Sequence, residues 1–592
     1  MLLSYLKSLD CIVRWNRIFS ILTLCVILFG ITHIHAASYV PIKDREGSGL
    51  AMTSSPYANA IGKAVLDSGG NAIDAAVAVS YALAVTHPAA GNIGGGGFAL
   101  IHLANGEDIA LDFREVAPKA ASRDMFLDSR GEVIPNAAVT GYLSVGVPGS
   151  VKGMSAMLDK YGTKTLSELL EPAVMLAEKG FMVTQRQQET MQEVQSDFAK
   201  FESSSKYFLK ENGEIYKDGD ILIQKDLAKT LRILQKEGES AFYQGEIAKA
   251  MVRDIQKGGG ILTLQDLKDY KVKWRKPLHG SYRGYDIITM PPPSSGGAHI
   301  LEILNIIENA DMAKLGFASS KSIHLLTEAM RQAQADRSSF MGDPDFIDLP
   351  LDTLLSKEYA REVYRSIKTN RATPSDRIIP GLGKIKQNNN PNLHEGSNTT
   401  HFSVVDKWGN AVSVTYTLNR RYGSGAAVSG YGFLLNDQME NFSIKVGYPN
   451  RHGMIEGTNN AIAPNKRPLS TMSPTMILKD GKLYVVLGSP GSGKIISVVA
   501  QVIVNLIDYK MDLVTAVESP RFHMQWQPDT LDIEKFSVNK DTQEILKRMG
   551  YKVVETDTMG DVNAILIDPK LPCPSTNSKR IEKSCAILTS AS

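Results

Sequence analysis

Thr399 stands where a polar, loop-like stretch gives way to an alternating apolar pattern, and that position has chemical meaning. A threonine made N-terminal by chain cleavage carries its own base, because the free α-amine takes the Oγ proton directly or through water. Such a cut would fall at Asn398–Thr399, although a threonine at a strand start is, taken alone, ordinarily structural. Further along, Gly488-Ser489-Pro490-Gly491-Ser492-Gly493-Lys494 meets most of the phosphate-cradling pattern G-x-x-x-x-G-K-[ST]. Ile495 stands where a hydroxyl must hold magnesium, and Pro490 removes a cradling amide, so a nucleotide site is not expected. What survives is a set of backbone N–H groups, at Gly491, Ser492 and Gly493, ahead of a helix. Such a set suits an oxyanion or a carboxylate. No His/Cys cluster has metal-ligand spacing, and no metal or organic cofactor is implied.

These groups need rigid elements to hold them. Residues 399–406 and 410–417 alternate around Lys407-Trp408-Gly409, which reads as a hairpin starting at the threonine. A second hairpin is expected from Thr475–Leu478 and Leu483–Leu487 around Asp480-Gly481, with a helix from about Ile495 to Tyr509. Upstream, the alanine-rich stretch 57–85 fits two close-packed helices, and the glycine run Gly91 to Gly97 leads into a strand over Phe98–Leu103. Residues 163–275 read as mainly helical. Tyr285–Met290 is a strand that ends in Pro291 to Gly297, where a helix follows from about Ala298. The stretch 369–398, rich in Asn, Pro, Gly and Lys, is a linker by composition and long for a compact domain. A helix-rich first half and a strand-rich last third indicate a layered α+β domain.

The chain of 592 residues carries 65 Lys+Arg against 63 Asp+Glu, a net charge of +2. No lopsided field is present to attract nucleic acid or an anionic membrane. Residues 1–36 read as a secretory signal: Lys7, Arg14 and Arg17, an apolar run from Ile18 to Ile34, and a cut after Ala36. Retention of that run as a single-span anchor is the alternative. A lipoprotein cut before Cys25 lacks the small residue it needs. A periplasmic or secreted product is expected. Two cysteines, Cys573 and Cys585, then remain, spaced to close a small disulfide loop or to stay as free thiols.

Several segments, in order, are similar to the γ-glutamyltranspeptidases. They are Asp112-Phe113-Arg114-Glu115 with Pro118, the Gly91–Phe98 run, Pro291–Gly297, Thr399-Thr400-His401-Phe402-Ser403 to Asp406, and Thr415–Asn419. Asn436-Asp437-Gln438-Met439, Pro464 to Pro474 and Gly488–Gly491 complete the set. The resemblance spans about residues 57–568. It implies an N-terminal-nucleophile hydrolase with a four-layer αββα sandwich, made as a precursor. Cleavage before Thr399 would leave a large subunit of 362 residues (37–398) and a small one of 194 (399–592), folded as one unit. By position, Thr399 is the nucleophile for self-cleavage and turnover, and Thr417 orients it. Arg114, helped by Ser470 and Thr471, clamps the donor's α-carboxylate. Asn419 and Gln438 accept from its α-ammonium, and the Gly491 and Ser492 amides hold the oxyanion.

The match breaks at three places. Asn441 stands where the family commonly has an acid for the ammonium, directly after Glu440. His452, in the lid-like stretch 446–455, stands where a tyrosine is found. Ser492 replaces a glycine, which matters if that position needs a positive φ. The resemblance implies transfer of a γ-glutamyl group from a glutathione-like donor to water, an amino acid or a peptide. A glutaryl-amide acylase of the cephalosporin acylase type is the alternative that Asn441 raises. A cleavage-defective exported binding protein is a second alternative, opposed by the joint presence of Thr399, Thr417 and Arg114.

Overall fold

Along the strand Thr400–Asp406 the side chains alternate between two destinations. Phe402 and Val404 enter a core shared with helices, whereas Val405 enters the core between two sheets. The same alternation runs through Gly96–His102, with Ala99 and Ile101 on the helix side and Phe98 and Leu100 on the inner side. A strand whose two faces are both covered has every residue buried, and all seven residues of each of these strands are.

The computed structural model describes residues 47–383, 399–448, 457–568 and 585–590. The expected signal 1–36, Asn398, His452 and Cys573 lie outside these residues, and of Cys585 only the backbone is described.

The first sheet has six strands in the order Gly49–Met52, Thr400–Asp406, Ala411–Thr417, Gly96–His102, Asp108–Phe113 and Lys273–Arg275. The second runs Cys585–Ser590, Asn563–Asp568, Lys482–Gly488, Thr475–Lys479, Tyr285–Thr289 and Leu278–Tyr282. Helices Pro56–Asp67, Ala72–Thr86 and Ser150–Tyr161 cover the first sheet, with Leu166–Lys179 packed behind Ala72–Thr86. Gly296–Ile307 and Lys494–Ile507 cover the second, with Ser320–Phe340 packed behind Gly296–Ile307. Helix, sheet, sheet, helix is the expected four-layer arrangement. Each sheet takes strands from both sides of residue 399, so the two segments are interlocked through shared hydrogen-bonded ladders.

Beyond residue 568, where the resemblance read from the sequence ends, the chain still contributes to the second sheet. Cys585–Ser590 forms an antiparallel edge strand on Asn563–Asp568, from Asn563 opposite Ser590 to Asp568 opposite Cys585.

The helix Ala72–Thr86 fixes the strand Thr400–Asp406. All its residues are buried, and its alanines let the sheet come close. Asn71 and Asp74 form a capping box at its start. Asp406, at the far end of that strand, accepts from Ala72 N at 3.0 Å and from Trp408 N and Asn410 N, both at 2.9 Å. One carboxylate thus ties the hairpin turn to the helix.

Candidate active site

Thr399 and Thr417 are antiparallel neighbours at the open end of the hairpin, on the face that looks toward the second sheet. Thr399 Oγ1 donates to Thr417 Oγ1 at 3.4 Å, and Asn419 N donates to the same Thr417 oxygen at 2.9 Å. Both threonines are buried. The glycine run is explained here, since a Cβ on Gly95 would lie 2.1 Å from the Thr417 carbonyl oxygen. Only glycine lets that chain pass so close to the hairpin end.

His401, two residues after Thr399, lies fully buried on the same face. Its Nδ1 is 2.8 Å from Thr415 Oγ1 and its Nε2 is 3.1 Å from Ser403 Oγ. The Ser403 hydroxyl donates to Asn563 O at 3.1 Å, so it accepts from Nε2–H, and Thr415 donates to Nδ1. Burial pushes the imidazole down to about 3, which keeps it neutral. Gly488 packs against the ring, with a Cβ there falling 2.3 Å from it. The strand Lys482–Gly488 is therefore seated directly on the strand Thr400–Asp406.

Arg114 follows the strand Asp108–Phe113 and is 1% exposed, an arginine held almost entirely by protein atoms. Its Nε donates to Pro468 O at 3.2 Å, and its Nη2 donates to Leu469 O at 3.1 Å and Asn441 Oδ1 at 3.0 Å. Those contacts put it against the start of the Ser470–Thr471 segment. Asp112 does not compete for it, being engaged by Arg275 at 2.8 Å and Arg467 at 3.2 Å. Glu115 does approach, with Oε2 3.6 Å from Arg114 Nη1.

Of the residues expected near an ammonium, Asn419 and Asn441 are bonded to each other. Asn419 Oδ1 accepts from Asn441 Nδ2 at 2.7 Å, so it already has a donor. The Asn441 oxygen likewise serves Arg114 rather than standing open. Behind both amides lies Glu440, whose Oε2 accepts from Asn419 Nδ2 at 3.1 Å and Asn441 Nδ2 at 3.2 Å. Asp437 Oδ2 also accepts from Asn419 Nδ2, at 3.2 Å. Gln438 is 1% exposed, and among the described residues neither its Oε1 nor its Nε2 has a partner. A buried amide left unsatisfied costs about 1–3 kcal/mol. A polar ligand removes that cost.

Glu115 was quoted in the sequence motif without a role, and the structure makes it conspicuous. It is fully buried, and among the described residues neither carboxylate oxygen has a hydrogen-bond partner. Burial pushes it up to about 7, against the pull of Arg114. The signal available was an acid adjoining an arginine in a strand-end motif, but sequence cannot say which of the two is desolvated.

The loop Ser489–Gly493, expected to hold an oxyanion, follows Lys482–Gly488 and precedes Lys494–Ile507. The Gly491 and Ser492 carbonyls are used by Lys494 N at 3.0 Å and Ile495 N at 3.1 Å. Among the described residues, no acceptor takes the N–H of Gly491 or of Ser492. They are the free amides of a helix N-terminus. Thr471 Oγ1 donates to Ser492 O at 2.8 Å, linking the loop to the Arg114 side. Ser470 meanwhile accepts from Met472 N at 3.1 Å. Ser492 sits at φ 50°, so the position does call for the left-handed region where glycine is unstrained.

Comparison with known proteins agrees with this geometry. The family described as Gamma-glutamyltranspeptidase matches residues 58–587, reaching past residue 568. A glutathione hydrolase proenzyme from Pseudomonas sp. (strain A14) is 47% identical over 551 residues, 93% of each chain. The Helicobacter pylori γ-glutamyltranspeptidase structure is 56% identical with a TM-score of 0.57, covering 58% of this chain and 98% of that one. The cephalosporin acylase structure from Bacillus halodurans is 25% identical with a TM-score of 0.77, covering 94% of this chain and 96% of that one. With the four-layer sandwich and a threonine at the start of its central hairpin, this chain belongs to the γ-glutamyltranspeptidase family.

Proposed function

We propose that the chain is an exported precursor that cuts itself before Thr399 and then transfers γ-glutamyl groups from glutathione or a similar donor through a γ-glutamyl-Thr399 ester. The observation that carries this reading is the Thr399–Thr417 hydroxyl pair at the start of a buried hairpin. In the cleaved enzyme the Thr399 α-amine takes the Oγ proton as Oγ attacks the donor's γ-carbonyl. The oxyanion is met by the Gly491 and Ser492 amides, each donor of this kind contributing roughly 3 kcal/mol. Arg114 receives the α-carboxylate, for which its planar fork is better suited than an ammonium. Gln438, with Glu440 behind Asn419 and Asn441, receives the α-ammonium. The leaving amine takes the proton back, and water or an amino acid or peptide amine completes the turnover.

Relatives named proenzymes support the cleavage, and the interlocked sheets explain how subunits of 362 and 194 residues would stay together. Export rests on residues 1–36. Among the described residues, no helix is long and apolar enough to cross a membrane.

The test is intact mass and N-terminal sequencing of the purified protein beside Thr399→Ala, followed by turnover of a γ-glutamyl anilide against a glutaryl anilide. Two chains, the smaller starting at Thr399 and absent from the variant, with preference for the γ-glutamyl substrate, are the expected result. A single chain in both samples sinks the reading. The glutaryl-amide alternative keeps one observation in its favour, the missing acid at Asn441, and a glutaryl preference would establish it.

A further inference from the structure

The first sheet gives the site two sides. On one side of the nucleophile strand come Ala411–Thr417, Gly96–His102 and Asp108–Phe113, with Arg114 at the end of the last. The donor's α-carbon lies that way. On the other side is the edge strand Gly49–Met52, where Met52 pairs with Ser403, so the chain leaving it at Ser54 runs beside the start of the nucleophile strand.

A cavity of about 130 Å³ opens there, lined by Ser54, Tyr57, Phe181, Arg186 and Asp561 among others. Asp561 comes from the opposite sheet, and its N–H donates to Ser489 Oγ at 3.1 Å, within the oxyanion loop. The preceding Gly560 Cα is 3.7 Å from where a Cβ on Gly491 would sit. Two of its lining residues are tied to the site's framework, Ser54 by following the edge strand that pairs with Thr400–Asp406 and Asp561 by its bond to Ser489, on the side away from Arg114.

Its chemistry is that of a zwitterion site with an apolar wall. Tyr57 and Phe181 meet edge to face, with ring centroids 6.1 Å apart. Among the described residues that line it, Arg186 is the one permanent cation. Its guanidinium is half exposed and lies 3.6 Å from the buried Asp561 carboxylate, too long for a closed bidentate pair. His87, also lining the cavity, is pushed down to about 4 by burial, with Arg186 and Arg421 adding to the effect, so it adds no charge at neutral pH.

We propose that this cavity is the subsite for the departing and accepting peptide, with Arg186 binding its terminal carboxylate and Asp561 guiding its amine toward the acyl-Thr399 carbonyl. The inference rests on the γ-glutamyl-transfer reading above. In the transfer step the acceptor nitrogen attacks the acyl carbon and a C–N bond forms. The ester C–Oγ bond breaks, and the proton lost by nitrogen passes through the Thr399 α-amine to Oγ. A carboxylate-bearing dipeptide such as glycylglycine fits both charges, and water needs neither.

The experiment compares wild type with Arg186→Gln and Arg186→Lys, using γ-glutamyl-p-nitroanilide as donor. Acceptors are none, glycylglycine, and glycylglycine amide. Arg186→Gln should raise the KM for glycylglycine at least tenfold, leave hydrolysis without acceptor at the wild-type rate, and cost little with the amide. Arg186→Lys should recover part of the loss. An unchanged KM for glycylglycine, or equal losses with both acceptors, overturns the subsite while leaving the γ-glutamyl reading intact. A wild-type enzyme that does not turn over the anilide overturns both.

Discussion

Arg114 Nη2 donates to Asn441 Oδ1 at 3.0 Å, and this bond sets the orientation of the Asn441 amide. Its oxygen faces the guanidinium, so its NH2 faces Asn419 and Glu440. A donor ammonium arriving here meets no carboxylate at position 441. The negative charge stands one residue back, at Glu440.

Asn441→Asp should therefore shift specificity. It places an anion beside the ammonium at the expense of two bonds to Asn419 and Glu440, and it sets two carboxylates near each other. A charge-assisted bond in place of a neutral one is worth about 1 kcal/mol more, so kcat/KM for the γ-glutamyl anilide should rise about five- to tenfold relative to the glutaryl anilide. Equal changes on both substrates would show that position 441 does not read the amine.

Thr417→Val removes the hydroxyl that holds Thr399 Oγ1 while keeping the shape of a β-branched strand residue. Loss of one orienting bond of this kind costs about 1.5–3 kcal/mol at the transition state, or roughly 10- to 100-fold in rate. Both precursor cleavage, followed on a gel, and single-turnover acylation should slow. Thr417→Ser should restore most of each rate, because it keeps the oxygen.

Glu115 predicts a pH dependence of stability. Burial raises its folded-state value to about 7, against 4.5 as the ordinary value. Between those two pH values the unfolded chain loses the proton while the folded chain keeps it. Stability from this group therefore falls as pH rises from 4.5 to 7 and is flat above that. Glu115→Gln should flatten this part of the profile of urea midpoint against pH. An unaltered slope would mean that Glu115 is ionised in the fold.

Ser492 occupies a left-handed backbone position at φ 50°. Ser492→Gly relieves that strain while raising the entropy of the unfolded chain, for a net gain of about 0.5–1 kcal/mol. The amide that meets the oxyanion is kept. Longer survival at elevated temperature with unchanged kcat is the expected outcome. A large fall in kcat would mean that the Ser492 side chain itself takes part in the chemistry.

The hairpin, the alanine-rich helices and the loop ahead of Lys494 were legible in the sequence because local rules decide them. Residues 400–406 and 411–417 alternate with period two, and the glycines of the 91–97 run mark a close approach. Thr399 stood out locally as a threonine where a polar linker meets a strand, but it was the resemblance of the surrounding motifs that made it the expected nucleophile. The tertiary structure decided everything that depends on who stands beside whom. Thr399 and Thr417 meet only because two strands pair. Asn419 and Asn441 turned toward each other and toward Glu440, and Arg114 toward the 468–471 segment, because those chains converge from far apart. No pattern along the chain could show that Glu115 and Gln438 are buried without hydrogen-bond partners among the described residues, since desolvation belongs to the folded surroundings and not to the residue type. The same holds for Cys585–Ser590, whose pairing with Asn563–Asp568 is a contact across the sheet rather than a property of its own six residues.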